Sequence, residues 1–464
     1  MNTVYLTKYV SLHTLDKDNT LLLNSLSGAM DIVDAAAKSK IMQIQNGTYT
    51  ASAEDNELLE QLRARGYLYS SENDEQKVAD RQRRLLEDYR SKKQVVDFVI
   101  CPTTLCNLRC TYCFQSDELR TDNAIMSNEQ VANIFSHMDK IVEDRNPAIV
   151  NVQLFGGEPL LPSTMKINRE IFEAVRKRNR RFTIISNGTN IDIYKDLLSE
   201  YKDVIRSMQI TVDGTEQIHD SRRKYLDGSG SFKKICDGID TLLEIGIGVA
   251  LRVNVDRYNI DSLPELIEFI KARKWTESQY FFCDIAPVTD HCSGDGIDGI
   301  MAEHEIVKRM AELFPEWKEG KSFFKLAMFK VLRHVNQAVF SPDRPMFNCS
   351  TSFCEANSLQ FYVFAPDGYV YACPESMGDH QLAIGKFDDK LSLDEKKMKL
   401  WDNRNVFRIP KCRDCNIAMF CGGGCAYAAL KMNNNIDEPV CNNAENILSE
   451  YIMNVKEHVL STFA

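Results

Sequence analysis

Some things are scarce in this chain of 464 residues. It has no run of about 18 apolar residues, the length a membrane-spanning helix needs. The opening Met1-Asn-Thr-Val-Tyr-Leu-Thr-Lys holds no uninterrupted apolar segment of signal-peptide length. Positive charge is in deficit: the formal net charge is -10, which argues against nonspecific binding to nucleic acid or to an anionic membrane. These absences point to a cytoplasmic protein with neither nucleic acid nor membrane as a partner.

Cysteine is plentiful, at 15 residues, and in a reducing cytosol clustered cysteines bind metal more often than they pair as disulfides. With 44% apolar residues a sizeable core is available, and a chain this long divides into about two to four domains.

Residues 1–71 read as a small α+β unit. Short strands are expected at 4–6 and 20–24, a helix capped by Ser27 through about Ser39, and a second helix capped by Ser52 with Leu58, Leu59 and Leu62 on one face. The second helix should stop at Gly66, before a strand at 67–69. Residues 72–94 turn highly charged and read as a solvated helical linker. Across 95–290, β-rich apolar runs at 95–100, 149–155, 182–186, 208–213, 249–255 and 280–285 alternate with helical stretches at 128–143, 167–177, 193–201, 232–244 and 263–273. Repeated βα units imply an α/β domain with a parallel sheet, open or closed into a partial (βα) barrel, with its active site at the C-terminal strand ends. Residues 291–345 read as a helical connector, and 346–464 as a domain rich in cysteine and glycine. Cys236 and Cys283 read as ordinary core.

The chemistry concentrates after the first barrel strand, in Cys101-Pro-Thr-Thr-Leu-Cys106-Asn-Leu-Arg-Cys110-Thr-Tyr-Cys113. Three thiolates spaced Cys-x3-Cys-x2-Cys leave one iron of a [4Fe-4S] cluster open, whereas four would close it. A structural zinc site would need a second cysteine pair, and none lies close by. Cys101, before Pro102 near the strand end, is the weaker ligand by spacing. At the next strand ends come Gly156-Gly157-Glu158-Pro159, then Ser186-Asn187-Gly188, then Asp213-Gly214.

The triplet Cys106, Cys110 and Cys113, with Tyr112 before the last cysteine and Gly156-Gly157-Glu158-Pro159 one strand later, resembles the radical S-adenosylmethionine superfamily over residues 95–288. The resemblance implies that S-adenosylmethionine binds the open iron and that one electron cleaves it to a 5′-deoxyadenosyl radical, which abstracts hydrogen from a substrate. It further implies that Gly156, Gly157, Glu158 and Pro159 meet the methionine amino group, that Ser186 meets ribose or carboxylate, and that Tyr112 lies near adenine. Arg252 and Asn254 are candidates for carboxylate and ribose, although a buried arginine there could equally pair with a barrel acid.

The C-terminal part resembles the SPASM extension of radical enzymes that modify peptides: Cys354, Gly368-x4-Cys373, Cys412-x2-Cys415-x5-Cys421-x3-Cys425, and Cys441. Carried over, Cys412, Cys415, Cys421 and Cys441 hold one auxiliary [4Fe-4S] cluster. Cys354, Cys373 and Cys425, with Cys349, hold a second, for three clusters in all. The first 70 residues are similar in pattern to the winged-helix-like element with which ribosomal-peptide maturases bind a leader peptide.

The expected activity is therefore cross-linking of a ribosomally made precursor peptide, most plausibly by thioether bonds from cysteine to carbon, with C–C or C–O bonds as alternatives and flavodoxin or ferredoxin as electron donor. A sulfatase activator of the same superfamily carries an aspartate directly after the cysteine equivalent to Cys373. Here Pro374 and then Glu375 follow, leaving Glu375 as the single candidate catalytic side chain. A non-catalytic electron carrier would need neither the open triplet nor the Gly-Gly-Glu-Pro turn.

Overall fold

The computed structural model describes residues 4–92, 95–290, 296–319, 322–326, 328–341, 343, 350–358 and 360–463; Cys349 lies outside the described residues. The N-terminal part contains β1 (Tyr5–Leu6), β2 (Val10–Thr14), β3 (Asn19–Asn24) and β4 (Met30–Asp34), then the helices Ala35–Gln45 and Asn56–Ala64, then β5 (Leu68–Tyr69). Strands β2, β3 and β4 form an antiparallel sheet, and β1 pairs with β5.

The helix expected from Ser27 does not form there. The Asn24 carboxamide oxygen accepts from the N–H groups of Leu26 and Ser27 at 2.9 and 3.1 Å, and Gly28 takes φ 73°. The chain therefore turns back on β3 as a strand, and the helix starts later under Asp34, which accepts from the Ala37 N–H at 2.7 Å. Ser52 caps a single 3-10 turn that leads into Asn56–Ala64. The charged stretch forms the helix Glu72–Ser91, and it is not wholly solvated. Glu75 is buried and accepts from the Lys8 N–H at 3.0 Å, while Ala79 packs with Tyr9, Leu26 and Val406.

The remaining strands are β6 (Val95–Ile100), β7 (Leu108–Cys110), β8 (Ile149–Leu154), β9 (Phe182–Ser186), β10 (Ile205–Thr211), β11 (Arg223–Tyr225), β12 (Val249–Val255), β13 (Phe281–Pro287), β14 (Phe324–Lys325), β15 (Phe361–Phe364), β16 (Tyr369–Tyr371), β17 (Ala383–Phe387) and β18 (Leu391–Leu393). Among the described residues, all of these but β7 and β11 form one 11-stranded sheet in the order β14-β13-β12-β10-β9-β8-β6-β15-β16-β17-β18. From β14 to β15 every neighbouring pair is parallel; the β15 to β18 meander is antiparallel. The helices Asn128–Arg145, Met165–Lys177, Ile191–Glu200, Phe232–Ile245 and Leu263–Ala272 lie between the strands in sequence and bury one apolar face each. Ser127 and Gln130 start the first of these with a reciprocal capping box.

Two parallel strands exceed the expected set. The connector contributes β14 beside β13, and β15 comes from far along the chain to pair with β6, placing Phe364 over Phe98 and against Phe387. The cysteine-rich part thus continues the sheet of the α/β part.

The N-terminal part is fastened to the C-terminal one. Leu15, Leu21, Leu23 and Met30 join the main core. Ser25 Oγ donates to the Asn416 carbonyl at 2.5 Å, His334 Nε2 lies 2.9 Å from the Gly28 carbonyl, and buried His13 lies between Ser11 Oγ (2.9 Å) and Ser449 Oγ (3.2 Å). Burial pushes the His13 imidazole down to about 4. The unfolded chain binds that proton near pH 6.5, so this seam loses stability as pH falls from about 6.5 toward 4. Urea denaturation at pH 7.5 and pH 5 should show a larger loss for the wild type than for His13→Gln, and equal losses would assign the acid sensitivity elsewhere.

Candidate active site at the strand ends

The cysteine loop leaves β6 at Ile100 and carries almost no regular structure of its own, so its position is imposed from outside. Gly157 N–H donates to the Thr103 carbonyl at 3.1 Å, and Glu158 N–H donates to the Leu105 carbonyl at 2.9 Å. A Cβ on Gly156 would stand 2.4 Å from the Thr103 oxygen, and one on Gly157 2.1 Å from the Thr104 oxygen. The two glycines admit the backbone of the cysteine loop, and this is a stronger reason for glycine than the approach of a ligand. At its far side the loop is tied down by β7, which pairs with β11 so that Cys110 stands opposite Arg223.

Glu158 is fully buried. Its carboxylate accepts from the Leu160 N–H and Ser186 Oγ, each at 2.8 Å, and from the Asn187 N–H at 2.6 Å, joining the second and third strand ends. Burial nonetheless holds its pKa up, at about 7. Ser186 also accepts from the Gly188 N–H at 3.0 Å, so its hydroxyl is engaged within the protein. Pro159 turns the chain into the next helix, its carbonyl accepting from Thr164 Oγ1 and Asn168 Nδ2.

Tyr112 is the hub of a second network. Its hydroxyl contacts Asp213 and accepts from Arg223 Nη1 at 2.8 Å and Asn254 Nδ2 at 3.2 Å, and the Arg222 guanidinium lies 4.9 Å from its ring centre. Arg222 also pairs with Asp256 and donates to the Asn254 carbonyl at 3.0 Å. Arg252 is held at 3.0 and 2.9 Å by the two oxygens of Asp284 and at 3.2 Å by Gln209, the structural pairing that its place on a barrel strand had left open. Two contributors in this network, Arg222 and Arg223, had no motif to announce them. Asn187, at the third strand end, donates to Asn107 Oδ1 at 2.8 Å while its Nδ2 lies 4.0 Å from Cys106 Sγ.

Burial raises the Cys106 thiol to about 12, with Glu158 adding to it; burial also raises Cys110, against the pull of Arg223. Cys101 is buried, donates to the Thr103 carbonyl at 3.2 Å and packs with Val363, Ala365 and Tyr371 as core. Cys236 and Cys283 are core as well.

In the C-terminal part the cysteines fall into two groups that sense each other's charge. Burial and then Cys421, Cys415 and Cys441 raise Cys412 to about 12. Burial raises Cys354 to about 11, with Cys425 among its neighbours, and Cys354 and Cys425 both act on Cys373. Between the groups lies Arg404, fully buried, which the sequence did not single out. It donates to the carbonyls of Gly423 and Gly424 at 2.9 and 2.7 Å and to that of Ile436 at 2.6 Å. It thereby clamps the glycine turn between Cys421 and Cys425, in which Gly422, Gly423 and Gly424 have φ of 75°, 82° and 77°.

A chamber of about 1130 Å³ joins the two regions, lined by Thr104, Cys113 and Arg120 on one side and by Asp367, Glu375 and His380 on the other. Thr104 Oγ1 and Arg223 Nε are buried without a protein partner. Three thiols, a hydroxyl and a guanidinium N–H suit a thiolate-held cluster together with a small ligand bearing a carboxylate. Among the described residues no three His, Cys, Asp or Glu side chains converge as the ligands of one ion would. A cubane cluster has a different requirement, since each thiolate takes a different iron.

Gly157→Ala should push the cysteine loop off the second strand end. After anaerobic reconstitution the variant should hold about four fewer iron atoms than the wild type; full iron content would show that the loop tolerates the added carbon.

Residues 100–270 match the family model described as the radical SAM superfamily. The chain is 24% identical over 330 residues to the cysteine-type anaerobic sulfatase-maturating enzyme of Clostridium novyi, covering 69% of this chain and 84% of that protein. It is 22% identical over 465 residues to the radical SAM cyclopropyl synthase TigE of Paramaledivibacter caminithermalis, covering 93% and 91%. Among solved structures, anSMEcpe with bound AdoMet and Kp18Cys peptide aligns with a TM-score of 0.60 at 19% identity, over 79% of this chain and 98% of that one. Streptococcus suis SuiB bound to precursor peptide SuiA aligns with a TM-score of 0.51 at 14% identity, over 94% and 98%. On the family match and the strand-end geometry together, residues 100–270 carry a radical SAM domain.

Proposed function

We propose that this protein is a peptide maturase that binds a ribosomally made precursor through its leader and removes hydrogen from the core peptide to install cross-links, with cysteine-to-carbon thioethers as the leading bond type. The observation that carries the reading is the shared chamber, which opens onto both the Cys113 end of the triplet and the segment after Cys373. A substrate lodged there touches the radical-generating end and the cysteine-rich domain at once.

In this reading Cys106, Cys110 and Cys113 hold a [4Fe-4S] cluster. Cys412, Cys415, Cys421 and Cys441 hold a second, and Cys354, Cys373 and Cys425, with Cys349, hold a third. When bound, S-adenosylmethionine and the reduced triplet cluster supply a 5′-deoxyadenosyl radical that takes a hydrogen atom from carbon. The chain's own residues position the reactants. Glu158, Ser186 and Asn187 lock the second and third strand ends together beside the triplet; Tyr112, Asp213 and Asn254 form the next wall; Arg223 brings a buried positive charge beside Cys110.

A sulfatase-maturating role is the second reading, favoured by the likeness to enzymes of that name. Two observations weigh against it. Pro374 and Glu375 stand where that class carries aspartate directly after the cysteine. The alignment to anSMEcpe uses 98% of that chain but 79% of this one, whereas TigE and SuiB run nearly the full length.

The N-terminal part is the proposed leader-docking module. A groove of about 300 Å³ runs along Tyr5–Leu6 and is bounded by Ile44, Gln45 and Asn416. An extended peptide laid there would add main-chain hydrogen bonds to this half-buried, two-residue strand.

Replacing Cys106, Cys110 and Cys113 with alanine should abolish 5′-deoxyadenosine formation and leave about eight of about 12 iron atoms per chain. A wild-type value near four would refute the auxiliary clusters. Gln45 is exposed on the groove rim, so Gln45→Trp should fill the groove without unfolding the chain. It should weaken binding of the full precursor roughly tenfold or more while leaving binding of the leaderless core peptide unchanged; equal affinity for the full precursor in both proteins would reject the docking role.

A further inference from the structure

Joining a carbon to a second group X–H, whether X is sulfur, carbon or oxygen, releases more than the hydrogen atom that the radical takes. When X–H and C–H become X–C, the hydrogen atom goes to the 5′-deoxyadenosyl carbon. One electron must pass to an acceptor, in this reading an iron–sulfur cluster of the cysteine-rich domain, and one proton must pass to a base. The cysteine triplet and its network offer no free base, because Glu158 and Asp213 are both spent on internal hydrogen bonds.

The opposite wall of the chamber does. His380 lines it with its side chain 56% exposed, and its ring lies flat on Tyr369, with centroids 4.2 Å apart and planes 14° from parallel. Its Nε2 is 3.4 Å from Asp367 Oδ2. Asp367 is itself fixed: the same oxygen accepts from the Tyr371 hydroxyl at 2.6 Å, and its other oxygen accepts from the Tyr369 N–H at 3.0 Å. A carboxylate 3.4 Å from one ring nitrogen and an aromatic plate beneath the ring restrict the imidazole, whose exposed part lines the chamber. With a proton on Nε2 facing Asp367, Nδ1 would be the nitrogen that accepts one.

We propose that His380, oriented by Asp367 and Tyr369, is the base that takes the X–H proton of the peptide as the new bond forms; this rests on the maturase reading above. Asp367 stabilises the imidazolium that results. The other charged groups lining this chamber are Glu375, Asp290, Asp122, and Asp379 with its partner Lys431, while Lys386 lies on the Tyr369 ring at 4.7 Å. From the facing wall the short helix Asp117–Thr121 brings Asp117, Glu118 and Arg120, the first and last paired to each other.

The test uses the full-length, reconstituted enzyme with each short cysteine-containing peptide found encoded beside its gene as the candidate precursor, and 5′-deoxyadenosine and cross-linked peptide are quantified by mass spectrometry across pH. His380→Ala and His380→Gln should still form 5′-deoxyadenosine but lose roughly 100-fold or more of the cross-linked product. The acid limb of the wild-type product profile should vanish in His380→Ala, and added imidazole should restore part of the yield, neither of which a loss of packing would produce. A wild type that forms 5′-deoxyadenosine but never alters the peptide overturns the maturase reading and this role with it. A wild type that cross-links while His380→Ala keeps the same product ratio and pH profile overturns the role of His380 alone.

Discussion

The structure depends on one close approach of backbone to backbone. The loop bearing Cys106, Cys110 and Cys113 has little internal structure, and it rests on the turn after β8 through hydrogen bonds from the N–H groups of Gly157 and Glu158. That approach exists because residues 156 and 157 have no side chain. From the same turn Glu158 reaches to Ser186 and Asn187, and Asn187 reaches back toward Cys106. Three strand ends and the cysteine loop are thereby joined through a few buried polar contacts, each costly to leave unsatisfied.

The second organising feature is the pairing of β15 with β6. It places the cysteine-rich part on the same sheet, next to the strand that feeds the triplet. The hairpin of β15 and β16 then brings Asp367 to the chamber, where Glu375 and His380, from the segment after Cys373, also stand. The groups lining the chamber are thus drawn from stretches of chain more than 200 residues apart, held on turns and short helices at the strand ends.

Local pattern was a good guide where an element's periodicity and its burial come from the same few residues. The strands Val95–Ile100, Phe182–Ser186 and Val249–Val255 coincide with apolar runs, because strands of a covered parallel sheet are buried on both faces. It misled at Ser27, where Asn24 and Gly28 form a turn that overrides a plausible cap. It also missed β14, only two residues long, and the pairing of β15, whose partner lies far away in sequence.

By itself the sequence determined the chemistry available: cysteine spacing, the glycine pair and the acid beside it, and alternating βα units, all of them properties of neighbouring residues. Tertiary structure alone decided how those groups are used. It committed Arg252 to Asp284, buried Cys101 as core, placed Arg404 between two sets of thiols, and set His380 against Asp367 across the chamber from the triplet. Such roles depend on which side chains meet after distant segments pack, and hydrogen bonds and charge act over a few ångströms of space rather than along the chain.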